Sequence, residues 1–328
     1  MRTLSGVPGA ERQDNMKGLE LARAFYKEYG EPMLREKFPE LLPLLAAGLA
    51  GSGSECWGFD DEISRDHDFE PGFCIFLPGE DVVDRQTAFR LERTYASLPK
   101  EFSGYKRSPV SPVGGSRHGV IRLDEYLTEK TGSPDGTLDT VAWLKTPQYA
   151  LCEAVNGQIF FDGSGVISSV REKLRNMPDD VRRKRISGDL LIMAQSGQYN
   201  YNRCIKHGQT AAAQLAVFEF VTHALDCVFL LNREYMPYYK WSFRALCDLP
   251  LLSELHDTFE LLLTTENTDS LAETKYYIIE DICSSVITAL QDQELTEAIC
   301  GDLEKHAYSV NDGIRDPFIR NLNILYTV

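Results

Sequence analysis

The sequence predicts an α+β protein: a mixed sheet with helices in the first half and an all-helical bundle in the second. Three observations carry this reading. Short apolar runs of strand length recur before residue 165, among them Phe73–Leu77 and Val120–Leu123. After Gly165 the apolar residues keep helical spacing through long segments, and strand alternation is rare. At 328 residues the chain exceeds what one hydrophobic core usually serves, so two domains are expected.

Taken in order, residues 1–16 are polar with Gly and Pro and read as a flexible leader without an apolar signal core. Leu19, Leu21, Ala22, Ala24 and Phe25 recur at helical spacing, and Pro32 and Pro39 open short helices over 31–37 and 39–46. Ala46-Ala-Gly-Leu-Ala-Gly51 is a strand closed by a Gly/Ser turn, and Phe69–Leu77 is a second strand. A helix over 81–97, a strand over 120–123, a short helix to Lys130, a helix over 144–155 and a strand over 158–161 follow. The second half predicts helices over 166–176, 178–196, 200–206, 209–235, 238–247, 251–265, 270–291, 294–304 and 312–325. The division is set at a leader 1–16, a first domain 17–170 and a helical domain 171–328.

Composition narrows the function. Lys and Arg number 34 against 49 Asp and Glu, a net charge of −15. Such a surface argues against an extended nucleic-acid partner, because each phosphate contact needs a local cation. No run reaches the ~18 apolar residues of a membrane span, and none of the eight cysteines sits at Cys-x-x-Cys spacing. A reduced, cytoplasmic protein with no membrane partner is expected.

Chemistry concentrates between Gly51 and Asp68. Small residues in Gly51-Ser-Gly-Ser54, directly after a strand, let backbone N–H groups approach phosphate oxygens, and the Ser hydroxyls add donors. Asp66-x-Asp68 then opens the next strand. Residues i and i+2 share a strand face, so these two carboxylates can hold a hard cation such as Mg²⁺. Turn and pair together make a site for phosphoryl transfer. The ordinary readings stand beside these: a common Gly/Ser turn, and strand-end aspartates in solvent. His67 falls on the opposite face and reads as structural. Asp60, Asp61 and Glu62 read as an acidic turn favourable to a helix N-terminus. Arg182-Arg-Lys-Arg185 reads as a solvated helix face, and His118, His223, His256 and His306 show no metal spacing.

A strand ending in Gly-Ser, a spacer, and Asp-x-Asp opening the next strand resembles the polymerase-β-like nucleotidyltransferase superfamily, which includes aminoglycoside adenylyltransferases and minimal nucleotidyltransferases. The string from Gly51 to Asp68, with Phe229-Leu-Leu-Asn-Arg233 and Tyr235-Met-Pro-Tyr-Tyr-Lys-Trp241, is similar to its branch DUF4037, over roughly residues 40–250. The resemblance implies a Mg²⁺-dependent transfer of a nucleoside monophosphate, AMP from ATP foremost, to a hydroxyl of a small molecule or protein, with release of pyrophosphate. It implies phosphate binding by Gly51, Ser52 and Ser54, and metal binding by Asp66 and Asp68. It also implies a third carboxylate on a neighbouring strand. Asp124, ending the strand 120–123, fits the order of elements; Asp162 is its rival and Glu153 stands third. Lys240 is the candidate triphosphate ligand from the helical half, and a surface lysine packed on Tyr238, Tyr239 or Trp241 is its plain reading. The acidic spacer departs from the arginines usual in minimal nucleotidyltransferases. A degenerate nucleotide-binding or protein-interaction module is the alternative, favoured by a missing third carboxylate.

Overall fold

The computed structural model describes residues 16–62, 69–107 and 118–327. Asp66, His67 and Asp68, like most of the expected leader, lie outside the described residues. The chain forms two compact units. One runs to Thr137 and resumes over Glu153–Leu174; the other takes Leu138–Cys152 and everything from Arg175 onward. The segment Leu138–Cys152 thus packs with the helical unit although it precedes the sequence boundary near 170.

In the first unit the helices α1 (Gly18–Phe25) and α2 (Glu31–Lys37) precede β1 (Ala46–Leu49). After β2 (Cys74–Leu77) come α3 (Arg85–Ala96), the hairpin β3 (Glu101–Phe102) and β4 (Tyr105–Lys106), β5 (Gly119–Arg122) and α4 (Leu123–Thr131). The strand β6 (Gln158–Asp162) closes a four-stranded sheet of order β5-β2-β1-β6. The sheet is mixed: β1 runs antiparallel to β2 and β6, while β2 and β5 are parallel. Every residue of β1 and β2 is buried, which explains why both read as unbroken apolar runs without alternation. The register shifts between Ala47 and Gly48 against β6. A Cβ at Gly48 would meet the Gln158 carbonyl oxygen and Ile159 Cα, at 2.5 and 2.8 Å, so this bulge requires glycine. The second strand is shorter than expected, because Pro71 and Gly72 keep its first residues out of the ladder. Phe25, Leu34, Phe38, Leu45, Phe73 and Leu91 form the core on one side of the sheet.

The helical unit contains α5 (Thr140–Lys145), most of α6 (Gln148–Val155) and, after α7 (Val166–Arg175), the long α8 (Asp179–Met193). A π-helical turn over Ala194–Tyr201 carries α8 into α9 (Asn202–Lys206). Then come α10 (Thr210–Leu231), α11 (Tyr239–Leu246), α12 (Leu255–Thr264), α13 (Asp269–Asp292), α14 (Leu303–Asp312) and α15 (Pro317–Asn321). Its core gathers around α10, with Phe220, Val228, Phe259, Ile279, Val286 and Leu303.

Two helix ends differ from expectation for one reason. Arg233 and Glu294 take left-handed φ of 58° and 53°. At each, the next N–H reaches back across the last turn, Glu234 to the Phe229 carbonyl and Leu295 to the Leu290 carbonyl. The expected helix 209–235 therefore stops at Leu231. That expected over 294–304 does not form; α14 starts at Leu303, where Asp302 accepts from the Glu304 N–H. The expectation of no span-like run is also corrected. The helix α10 is long and apolar enough to cross a membrane, with mean hydropathy 1.5 over an 18-residue window of which 61% is buried inside the protein. It is the core helix of this unit.

Candidate functional site

The Gly/Ser turn stands where β1 leaves the sheet. Gly51 has φ +127°, a conformation that L side chains rarely adopt, and a Cβ there would meet nothing within 4 Å. The requirement is conformational, not steric. The turn is held from β6's side: Asn156 Oδ1 accepts from the Gly51 N–H at 2.9 Å, and Asn156 Nδ2 donates to the Gly51 carbonyl at 2.7 Å. Buried Arg171 on α7 in turn donates to the Val155 and Asn156 carbonyls, fixing the backbone that carries this amide. The neighbouring Gly157 N–H donates to the Cys56 carbonyl. Ser54 opens a short 3₁₀ turn (Ser54–Trp57), and its carbonyl accepts from the Phe59 N–H.

Gly51, Ser52 and Gly53 line a cavity of about 460 Å³ within the first unit. Its opposite wall is α4, through Glu125, Tyr126, Glu129 and Lys130. Positions i, i+4 and their neighbours share a helix face, so α4 presents these four together. Lys130 Nζ bridges Glu129 and the largely buried Glu153, at 2.8 Å each. Burial pushes the Cys74 thiol, also in the wall, up to about 12, so it stays neutral.

The expected acids fall elsewhere. Because β2 and β5 are parallel and Leu77 pairs with Arg122, α4 begins at the end of the sheet remote from Gly51. Asp124, in the first turn of α4, accepts from the Glu125 N–H at 2.9 Å and does not line this cavity. Asp162 pairs with Ala46, again at the remote end, and accepts from the Gly165 and Ser168 N–H groups at 2.8 and 3.0 Å. Those bonds make it the cap of α7. The structure therefore brings Gly51, Ser52 and, through Lys130, Glu153 to one cavity, and leaves Asp124 and Asp162 away from it. Asp60 is buried and caps α1, accepting from the Gly18 N–H at 2.8 Å. The acidic turn thus serves a helix distant in sequence.

Lys240 is exposed on α11, its Nζ 5.0 Å from the Trp241 ring centroid. Its packing follows the plain reading. The basic run 182–185 is a correction: Arg182, Lys184 and Arg185 are buried, not solvated. Most of their donors are taken up by main chain, amides and Asp179, while the Arg182 and Arg185 Nε–H groups have no hydrogen-bond partner among the described residues. Arg185 Nη2 spans the Trp143, Leu144 and Thr146 carbonyls, and Lys184 Nζ reaches Asn311 Oδ1 and the Leu322 carbonyl. A charge run cannot be told from a buried capping set by composition alone.

The sequence also missed a cluster in the helical unit. Asp189 on α8 and His223 and Asp226 on α10 offer ligand atoms all within 4.8 Å of one another. His223 Nδ1 lies 2.9 Å from Asp189 Oδ1, and Gln148 Nε2 donates to Asp226 Oδ1 at 2.7 Å. Burial pushes Asp226 up to about 7, and the Asp189 carboxylate adds to the shift. Burial also raises Asp189, against the pull of His223. For His223, burial opposes the proton, but the hydrogen bond and charge of Asp189 hold its affinity above the ordinary value. The spacing of His223 and Asp226 on one helix was the only sequence signal.

Residues 143–242 match the family described as Domain of unknown function (DUF4037). That stretch carries the family's pattern, as the sequence resemblance expected, over less than half of the chain, with the Gly51–Asp68 string outside it. A solved structure of a nucleotidyltransferase-like protein from Exiguobacterium sibiricum 255-15 is similar at 14% identity, covering 86% of this chain and 90% of that one. Its TM-score is 0.38, too loose a likeness to carry fold or function. No curated protein matches the chain.

Proposed function

We propose that the chain is a nucleotidyltransferase, moving a nucleoside monophosphate, AMP from ATP foremost, onto a hydroxyl of a small molecule or protein. The observation that supports it is the Gly51–Gly53 turn: Gly51 takes a φ of +127° that favours glycine, is fixed by Asn156, and the turn opens on a cavity of about 460 Å³. Phosphate oxygens of the donor rest against this turn at Ser52 and Gly53, since the Gly51 N–H is already taken by Asn156.

Asp66 and Asp68 are the residues that would hold Mg²⁺. The donor set around the cavity suits a hard cation: Glu55, Glu125 and Glu129 supply only carboxylate oxygens, and the Cys74 thiol is neutral. When bound, the ion neutralises phosphate charge and polarises the phosphoryl group. The acceptor oxygen attacks the α-phosphorus, the bond from that phosphorus to the bridging oxygen breaks, and pyrophosphate leaves with the electron pair. The hydroxyl proton passes to a carboxylate of the α4 wall, Glu125 or Glu129, in place of Asp124.

A second reading has its own support. The strand β5 reads Gly119-Val-Ile-Arg122 and carries no carboxylate, so a nucleotide-binding module without turnover remains the rival. Labelled nucleoside triphosphates, Mg²⁺ and a panel of hydroxyl-bearing acceptors separate the two by pyrophosphate release. Turnover that disappears in Asp66→Asn/Asp68→Asn supports the enzyme. Absence of turnover, with nucleotide binding equal in the wild type and the double variant, overturns it.

A further inference from the structure

One cavity of the helical unit holds chemistry that nucleotidyl transfer does not use. It measures about 320 Å³ and is walled by Asp189, His223 and Asp226 together with Arg185, Gln148 and Tyr238. His223 and Asp226 lie three apart on α10 and so share a helix face, with Asp189 meeting them from α8.

Three features set this group apart from an ordinary buried polar cluster. First, no lysine or arginine makes an ion pair with the two carboxylates among the described residues; Asp189 pairs with His223, and the nearby Arg185 charge only partly offsets the burial of both acids. Two acids this close, one fully buried, call for positive charge. Second, the ligand atoms are already oriented from outside. Gln148 uses both ends of its amide, donating to Asp226 Oδ1 at 2.7 Å and accepting from the Met236 N–H at 3.0 Å. Asp189 Oδ1 and His223 Nδ1 lie 2.9 Å apart, a spacing at which both can face one ion that replaces the proton between them. Third, Arg185 is 6% exposed, lies in the same wall, and keeps a buried Nε–H without a hydrogen-bond partner. Its Nη2 is committed to three main-chain carbonyls, so the guanidinium cannot swing away to satisfy that N–H elsewhere. This unmet donor belongs to a residue of the wall that also carries the acids.

We propose that Asp189, His223 and Asp226 bind a divalent transition-metal ion such as Zn²⁺ or Mn²⁺, with coordination positions left open to the cavity. One imidazole with two carboxylates suits such ions, whereas Mg²⁺ favours oxygen alone. Arg185 Nε–H then donates to an oxygen ligand, water or an oxyanion, completing the coordination. All four residues fall within the stretch 143–242 that matches DUF4037.

The test uses the full chain carrying Asp66→Asn/Asp68→Asn, which removes the other expected cation site, after treatment with chelator. Titration with Co²⁺ as a spectroscopic probe should show one equivalent bound per chain. His223→Gln and Asp226→Asn, added separately, should each weaken it at least about tenfold, the loss that even outer hydrogen-bonding partners of a metal ligand typically cause. Circular dichroism and the metal-free Tm check that each variant folds. Should either fail to fold, Zn²⁺ titration followed by imidazole NMR decides: the ring of His223, out of six histidines, should be the one that shifts. No stoichiometric Co²⁺, equal Co²⁺ affinity in both folded variants, or an unmoved His223 ring overturns the proposal. Retained Co²⁺ binding in the Asp66/Asp68 background separates this site from the proposed transferase centre.

Discussion

The carboxamide of Asn156 grips Gly51 at both ends of its peptide, accepting from the N–H at 2.9 Å and donating to the carbonyl at 2.7 Å. An amide side chain reproduces here the double bond of an antiparallel pair, at the point where β1 has left the ladder. Asn156→Ala removes both bonds and leaves two main-chain groups to find water. Stability should fall by about 1–3 kcal/mol in urea unfolding, and nucleotide affinity should fall with it, because the turn proposed to face phosphate loses its fixed shape. Unchanged nucleotide affinity in a destabilised variant would show that the turn does not need this clamp to bind.

Gly51→Ala separates backbone strain from steric exclusion. The new methyl meets nothing within 4 Å, so only the φ of +127° opposes it. The expected cost is about 1–3 kcal/mol of strain, or a turn that relaxes to negative φ and pulls away from Asn156. Calorimetry should report the former, and weakened nucleotide binding at near-native stability the latter.

Asp162 receives two N–H donors from the start of α7, at the end of the sheet remote from Gly51. Its replacement by Ala should cost about 0.5–2 kcal/mol, the usual range for a lost helix cap, while transfer persists once the protein is folded. A collapse of kcat with stability intact would return Asp162 to the chemistry.

How much of this was legible in the sequence follows from range. The strand Ala46–Leu49 and its Gly/Ser ending are local patterns, and so are the helical periods after residue 165. The clamp on Gly51 comes from a residue 105 positions away, and Asp60 caps a helix 42 positions upstream. Nothing in the local sequence announces either. Asp162 is the last residue of β6 and Asp124 lies two residues past β5, so both stand at strand ends; what decides is which end of the sheet, and that is set by strand direction. Arg182–Arg185 looked like solvated charge, since the main-chain carbonyls that receive it belong to other segments, Trp143–Thr146 and Leu230. The Asp189–His223–Asp226 cluster needs two helices side by side to exist at all.

Arg185 offers a test of that buried network. One planar guanidinium nitrogen meets three carbonyls, an arrangement that an ammonium on a shorter stem does not reproduce. Arg185→Lys should destabilise the protein by about 3 kcal/mol or more, the scale of a broken buried charge network. A Tm equal to wild type would show that water or the lysine replaces these bonds at no cost.

Lys275 on α13 carries the clearest pH dependence. It is 1% exposed, and its Nζ donates to Gln214 Oε1 at 2.9 Å and the Thr265 carbonyl at 2.8 Å, with no carboxylate in ion-pair contact among the described residues. Burial lowers its pKa from 10.5 to about 8. Between those values the unfolded chain holds a proton that the folded chain has released, so stability rises with pH across this window. Below pH 8 both states are protonated and this contribution is flat. Buried thiols and tyrosines raise the opposite slope at alkaline pH, so the comparison is with Lys275→Met, in which those groups are unchanged. The unfolding free energy of wild type minus that of the variant should increase from pH 8 to pH 10, by up to about 1.4 kcal/mol for each unit of displaced pKa. A difference that stays level or falls over that range would mean the ammonium is held charged by its two oxygen acceptors, with burial costing it nothing.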